Sequence, residues 1–194
     1  AVVRGTAGIY YLQRYLKLTH ADLFFADAAV LVEGNVERLL LPLLIEREVP
    51  ALRDCHLTIL EVGGAFAHKF RELLDFLEIT TLVITDLDSV KPNTSEDDED
   101  GDSSGRGASC MTIEPAAITK NETLRQWFPK STSINELLDL PAADKVLTIG
   151  EDKGSCIRVA YQTRQPASWS EESDRLAGRT LEEAFALENL DWIQ

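Results

Sequence analysis

The sequence of 194 residues is poor in the residue types that build several common kinds of site. Its cysteines, Cys55, Cys110 and Cys156, are odd in number and far apart, so neither a disulfide framework nor a paired-cysteine zinc site is indicated. The three histidines are scattered and form no HExxH motif. The sequence also has no GxGxxG and no GxxxxGK[ST], and therefore no nucleotide-phosphate loop within this stretch.

Positive charge is also scarce, and long apolar runs are missing. Lys+Arg number 19 against 33 Asp+Glu, and the formal net charge of −14 argues against binding polyanions or membrane surfaces by net charge alone. No apolar run approaches the roughly 18 residues that a membrane-spanning helix needs. The chain begins Ala1-Val2-Val3-Arg4, without an initiator Met or a signal-peptide pattern, so we expect a piece of a longer cytoplasmic protein.

One segment, residues 91–109, differs in composition from the rest of the chain. It is rich in Pro, Gly and Ser, and it carries six acidic residues between Glu96 and Asp102. Because this segment has no apolar periodicity, we predict a mobile, solvated surface loop. Around it we expect a helical lead-in over 1–27 and one domain over 28–194, with additional helices at 120–140 and 181–190. Within the first of these ranges, one helix is expected at 121–128 and a second at 133–139, beginning at Ser133.

The remaining sequence alternates between short apolar runs and helical patterns. Apolar strands are predicted at 28–32, 57–62 and 81–85, separated by helices at 35–48 and 65–78. This β-α-β-α-β order predicts an α/β fold, a parallel sheet covered by helices on both faces. Short strands near 145–149 and 157–161 are expected to extend the sheet, and the run Leu39-Leu40-Leu41 is expected to be core.

Acidic side chains follow two of the predicted strands. Glu33 ends the first strand, Glu37 lies one helical turn further on, and Asp86 and Asp88 end the third. Ligands of open parallel sheets bind at the carboxyl ends of the strands, and residues two apart on an extended chain point the same way. Four carboxylates at one edge would repel each other unless they were neutralised, and Mg²⁺ prefers such oxygen ligands. Two ions about 4 Å apart could activate a water and stabilise the leaving oxygen of a phosphodiester.

These residues carry a resemblance to a known family. LVEGNVE (31–37) followed by ITDLDS (84–89) resembles the Toprim domain, with Glu-Gly after the first strand and Asp-x-Asp after the third. The form EGxxE–LLLP, residues 33–42, resembles the OLD (overcoming lysogenization defect) family of nucleases. Three later blocks, TKNETLRQWFP (119–129), RVAYQT (158–163) and GRTLEEAFALENL (178–190), are similar to that family in the same order.

The resemblance implies a Toprim-like nuclease domain that cleaves DNA with Mg²⁺ or Mn²⁺, as two ions. It also implies an ATPase domain before it in the same polypeptide, through which any homo-oligomer would form. The metal ligands of the family carry over to Glu33, Glu37, Asp86, Asp88 and Glu122.

Two further features concern the chemistry of this implied site. Lys120 stands where many relatives have Ser, directly before the Asn-Glu-Thr block. The family uses a late basic residue near the scissile phosphate, for which Lys153 is the candidate and Arg158 the second choice. Glu33 is also a candidate general base.

Two alternatives use the same residues differently. TLVITDLDSV resembles the first motif of haloacid-dehalogenase-type phosphatases, in which Asp86 would be the nucleophile and Asp88 the acid/base. That reading gives Glu33 and Glu37 no role and leaves about 85 residues before the motif. A non-catalytic interaction module with the Toprim shape would suit the acidic net charge. Such a module has no need of the EGxxE and Asp-x-Asp motifs, and their presence argues against it.

Overall fold

The computed structural model describes residues 18–63, 66–92, 107–150, 154–166, 175–189 and 192. The chain divides into two compact units, residues 1–85 with 145–160, and residues 86–144 with 161–194. Most of the predicted helical lead-in and of the predicted acidic loop lies outside the described residues. Of the lead-in, a 3₁₀ helix at Leu18–Phe24 is described.

Regular elements alternate along the chain, as the sequence pattern predicts. The strands are β1 (Ala28–Val32), β2 (Leu57–Glu61), β3 (Thr80–Ile84), β4 (Ser89–Val90), β5 (Ile118–Thr119), β6 (Val146–Ile149), β7 (Ser155–Ala160), β8 (Gln165–Pro166) and β9 (Arg175–Leu176). The α-helices are α1 (Asn35–Glu48), α2 (Arg71–Leu77), α3 (Ile134–Asp139) and α4 (Leu181–Glu188). Shorter 3₁₀ turns lie at Pro50–Leu52, Ala67–Phe70 and Ala142–Lys145.

The first unit contains a five-stranded sheet in the order β2-β1-β3-β7-β6. Strands β2, β1, β3 and β7 are parallel to one another, and the edge strand β6 is antiparallel to β7. Helix α1 connects β1 to β2, and α2 connects β2 to β3. The predicted α/β class and the predicted extension of the sheet by the two late strands are therefore confirmed.

The central strands carry the core of the first unit. Val30, Leu31 and Val32 of β1, Val83 of β3 and Ile157 of β7 are all buried. Leu31 pairs in register with Leu60 of β2 on one side and with Val83 on the other. Such uninterrupted apolar runs are typical of parallel strands, because both of their faces are covered.

Helix α1 differs from the sequence prediction in its burial. Leu39 and Leu40 are 66% and 47% exposed and Leu41 is half-buried, so the prediction that this run belongs to the core is wrong. The helix is apolar around most of its circumference, and a helix packs against a sheet along one stripe only. Leu41 and Ile45, four residues apart, are less exposed than their apolar neighbours on the helix.

The second unit consists of short elements. Strands β4 and β5 form one antiparallel pair, and β8 and β9 form another. The helix predicted at 121–128 is a single π-helical turn, Thr123–Trp127. The helix predicted to begin after Ser133 is confirmed, because the Ser133 hydroxyl accepts from the Glu136 N–H at 3.4 Å. Among the described residues, no helix is long and apolar enough to cross a membrane.

A glycine allows the segment before α4 to approach the helix backbone. A Cβ atom at Gly178 would lie 2.3 Å from the backbone nitrogen of Ala184, well inside van der Waals contact. The obstacle is main chain of the helix, so it cannot turn aside as a flexible side chain would. Gly178 is therefore required by space rather than by an unusual φ angle.

We expect Gly178→Ala to lower the free energy of unfolding by about 3 kcal/mol, as overpacking against backbone does. The matched control is Gly154→Ala, because a Cβ at Gly154 meets no atom within 4 Å in the structure. Urea titration followed by circular dichroism measures both variants. Equal stability of the two variants would contradict the close approach at Gly178.

Candidate functional site

Glu33 follows the carboxyl end of β1 and is held by a residue at the end of the neighbouring strand. The hydroxyl of Thr85, the residue after β3, donates a hydrogen bond to Oε1 of Glu33. Thr85 is itself buried, and its N–H donates to the carbonyl of Ala160 at the end of β7 at 3.0 Å. The ends of three neighbouring parallel strands thus fix the position of one carboxylate.

Glu37 lies at the same strand edge, in the first turn of α1. A Cβ atom at Gly34 would be 3.2 Å from Oε2 of Glu37, so this carboxylate reaches back over the turn that follows Glu33. A carboxylate in a first helical turn is also favoured by the helix dipole. A further acid, Glu61 at the end of β2, lies 3.7 Å from the guanidinium of Arg38.

In the second unit, Asp86 is anchored by residues that are distant in sequence. Its Oδ1 accepts from Nε2 of Gln162 at 2.6 Å and from the backbone N–H of Leu181 at 3.1 Å. Leu181 is the first residue of α4, so this carboxylate lies at a helix N-terminus, where negative charge is stabilised. Both of these donors are neutral groups, and the two bonds together fix the orientation of the carboxylate.

The backbone around Asp86 is fixed as firmly as its side chain. Gln162 Oε1 accepts from the Leu87 N–H at 2.9 Å, so one amide side chain holds two successive residues. The buried Asn121 donates from Nδ2 to the Asp86 carbonyl at 2.8 Å. Its Oδ1 accepts from the N–H groups of Thr123 and Leu124, so Asn121 connects the start of the π-helical turn to Asp86.

Asp88 adopts a left-handed backbone conformation, with φ of +48°. Its N–H donates to the carbonyl of Arg179 at 3.1 Å, and its own carbonyl accepts from the Lys120 N–H at 3.2 Å. The Arg179 guanidinium donates to the Ser89 carbonyl at 3.1 Å. Main-chain bonds on both sides therefore fix this uncommon conformation.

Of the other predicted site residues, neither Glu122 nor Arg158 follows a strand of the five-stranded sheet as Glu33 and Asp86 do. Glu122 precedes the π-helical turn and binds within it, to Arg125 at 3.1 Å and to Gln126. Lys153 lies outside the described residues. Arg158 is exposed on β7, opposite Leu82 of β3 and Val146 of β6.

The chemistry of these side chains suits a hard divalent cation. The strand-end acids of the first unit and Asp86 and Asp88 of the second offer carboxylate oxygens, the donors that Mg²⁺ and Mn²⁺ prefer. The acids therefore fit such an ion by donor type. Among the residues that the structure describes, no three His, Cys, Asp or Glu side chains are grouped so that they could hold a metal ion as placed.

Sequence reasoning missed the residues that position the carboxylates. Gln162, Asn121 and Arg179 lie within the blocks RVAYQT, TKNETLRQWFP and GRTLEEAFALENL, but none was singled out as functional. Asn121 is fully buried, whereas Glu122 beside it is partly exposed. The one signal in the sequence was that these residues lie within the three blocks. Neither periodicity nor spacing could have indicated a contact such as Gln162 to Asp86, which joins residues 76 positions apart.

The mostly parallel sheet, with Glu33 directly after β1 and Asp86 two residues after β3, is consistent with a Toprim-like α/β fold. The family model described as "Overcoming lysogenization defect protein-like, TOPRIM domain" matches residues 24–88. These residues therefore form an OLD-like TOPRIM domain, and the resemblance noted in the sequence is confirmed.

Comparison with curated proteins gives a distant relative that is named an endonuclease. The chain is 29% identical over 127 residues to "Endonuclease GajA" of Bacillus cereus (strain HuB5-5). That alignment covers 66% of this chain, and the chain spans only 17% of the length of that relative. No solved structure gave a significant match.

We expect Gln162→Leu to lower the free energy of unfolding by about 2 kcal/mol, because it removes the amide that bonds Asp86 and Leu87. The matched control is Gln165→Leu, whose amide donates to the Thr163 hydroxyl two residues away at 3.2 Å, a local bond. We expect that control to stay within about 0.5 kcal/mol of the unsubstituted chain. Urea denaturation of the three proteins measures the difference, and equal losses in both variants would contradict a special role for Gln162.

Proposed function

We propose that this chain carries the catalytic centre of a metal-dependent DNA endonuclease. Its ligands for Mg²⁺ or Mn²⁺, as two ions, are Glu33, Glu37, Asp86, Asp88 and Glu122. The observation that carries the proposal is the anchoring of Asp86 by Gln162 and the N-terminus of α4. A carboxylate whose orientation is fixed by hydrogen-bond donors binds a cation with little reorganisation, which is what a cation site needs.

The comparisons support the nuclease class, in coarser terms. An OLD-like TOPRIM domain is matched at residues 24–88, and the curated relative is named an endonuclease. The resemblance noted from the sequence supplies the rest of the proposal: DNA as substrate, and an ATPase domain in the same polypeptide as partner.

The bound cations would supply Lewis-acid stabilisation of charge on the phosphodiester and a lowered pKa for a coordinated water. The residues of this chain orient the carboxylates, and Glu33 accepts the proton of the attacking water. Thr85 holds the Glu33 carboxylate by its hydroxyl, which orients Glu33 as the general base. Gln162 and Leu181 hold Asp86 in one orientation, so that it meets a cation without reorganising.

Two residues have auxiliary roles in the proposal. Lys153 stabilises negative charge on the phosphoryl oxygens, and Arg158 is the alternative for this role. Glu122 would join the ligands by exchanging its contacts with Arg125 and Gln126 for contact with a cation. Both contacts are local and partly exposed, so little opposes that exchange.

Asp86→Asn tests the proposal more sharply than an alanine. Asparagine keeps the size of the side chain and an oxygen acceptor for Gln162 and Leu181, while it removes the charge. We expect cleavage of plasmid DNA with Mg²⁺ or Mn²⁺ to fall at least about a hundredfold, because the charged ligand is lost. The matched control is Asp139→Asn, which alters an exposed carboxylate paired with Arg164 and should cleave like the unsubstituted chain.

The outcomes separate the alternatives. Metal-dependent nicking or linearisation that Asp86→Asn loses and EDTA abolishes supports the proposal. Equal cleavage by Asp86→Asn, or no cleavage with either metal, contradicts it. Hydrolysis of a phosphate monoester through a covalent intermediate on Asp86 would instead support the phosphatase alternative.

A further inference from the structure

Lys120 lies directly opposite Asp88, and the backbone fixes it there. Strands β4 and β5 pair antiparallel, with Ser89 opposite Thr119, so the residues one step beyond that pair, Asp88 and Lys120, face each other. The Lys120 N–H donates to the Asp88 carbonyl at 3.2 Å and continues this ladder by one bond. The closeness of the two side chains therefore follows from strand register.

The side chains of these two residues form an ion pair. Nζ of Lys120 lies 3.8 Å from Oδ1 of Asp88. The Lys120 side chain is 46% exposed and the Asp88 side chain 21%, so the ammonium approaches the carboxylate from the solvent side. Such a half-exposed pair is weak, and a cation of higher charge can displace the ammonium.

We propose that Lys120 is a built-in counter-ion of Asp88 that competes with divalent cations for this carboxylate. The inference rests on the proposed function in one respect, that Asp88 is a metal ligand. A dication that uses Asp88 must displace the ammonium or bind beside it, and either costs binding free energy. Because the ammonium stays tethered, it raises the cation concentration at which Asp88 becomes occupied.

The distance and exposure set the size of the effect. At a separation of a few ångströms in a solvated site, a single positive charge lowers the affinity of a carboxylate for a divalent cation by roughly three- to tenfold. The effect is therefore a shift in the metal concentration required and not a block. Salt screens it, since both charges are close to solvent.

Lys120→Gln tests this, because glutamine removes the charge and keeps much of the length of the side chain. The full chain is titrated with Mn²⁺, free Mn²⁺ is measured by electron paramagnetic resonance, and calorimetry with Mg²⁺ serves as a second readout. We expect Lys120→Gln to bind Mn²⁺ about three- to tenfold more tightly than the unsubstituted chain. Lys120→Arg should bind like the unsubstituted chain, and the gain should shrink as the KCl concentration rises.

Two controls separate a local ion pair from a general change in net charge. Lys91→Gln removes the same charge from another exposed pair of this unit, 3.0 Å from Glu114, and should leave Mn²⁺ affinity almost unchanged. In an Asp88→Asn background, Lys120→Gln should give no gain, because the shared carboxylate is absent.

Failure of the inference and failure of the proposed function give different results. If the unsubstituted chain and Lys120→Gln bind Mn²⁺ equally, or Lys120→Gln binds more weakly, the counter-ion role is wrong and metal binding stands. A gain of equal size in Lys91→Gln likewise overturns the local pairing. If neither protein binds Mn²⁺ or Mg²⁺, the proposed metal-dependent function itself is wrong.

Discussion

The hydrogen bonds that anchor Asp86 are the constraint on which the second unit depends. Its carboxylate and backbone are held by Gln162, by Asn121 and by the first N–H of α4, which lie 76, 35 and 95 residues away along the chain. Each of the three later sequence blocks thus contributes one donor to the same acidic segment. The short strands and helices of this unit bury little apolar surface individually, and their common arrangement keeps these donors in place.

Neutral donors can hold a carboxylate in one orientation without placing a cationic side chain beside it. Hydrogen bonds to an ionised group are strong, and a helix N-terminus adds favourable electrostatics. Neither the amide nor the helix N-terminus contributes a whole positive charge, so these contacts orient Asp86 rather than pair it with a cationic side chain. Thr85 acts in the same way on Glu33 in the first unit, through a hydroxyl. Both units therefore orient an acid without pairing it to a lysine or arginine through these bonds.

The sequence predicted the sheet better than it predicted the surroundings of the acids. Strands β1, β2 and β3 and helix α1 were found within a residue of their observed ends, because apolar runs and 3.6-residue periodicity are local signals. The exposure of Leu39 and Leu40 was not predictable, since hydrophobicity does not say which side of an apolar helix meets the sheet. Gln162 and Asn121 were missed for a similar reason: a hydrogen bond between distant segments leaves no periodic trace.

The distribution of charge explains why a cation matters so much to the proposed chemistry. The net charge is −14, and basic side chains near the acidic segment are engaged: Arg125 with Glu122, Arg179 with Glu183, and Lys120 with Asp88. Phosphodiester substrates are polyanions, whose approach to such a surface is unfavourable. In the proposed function, a divalent ion bound at Asp88 would reverse the local sign of the potential as well as supply Lewis acidity. Substrate attraction and catalysis would then depend on the same binding event, and the lysine opposite Asp88 would set the threshold for both.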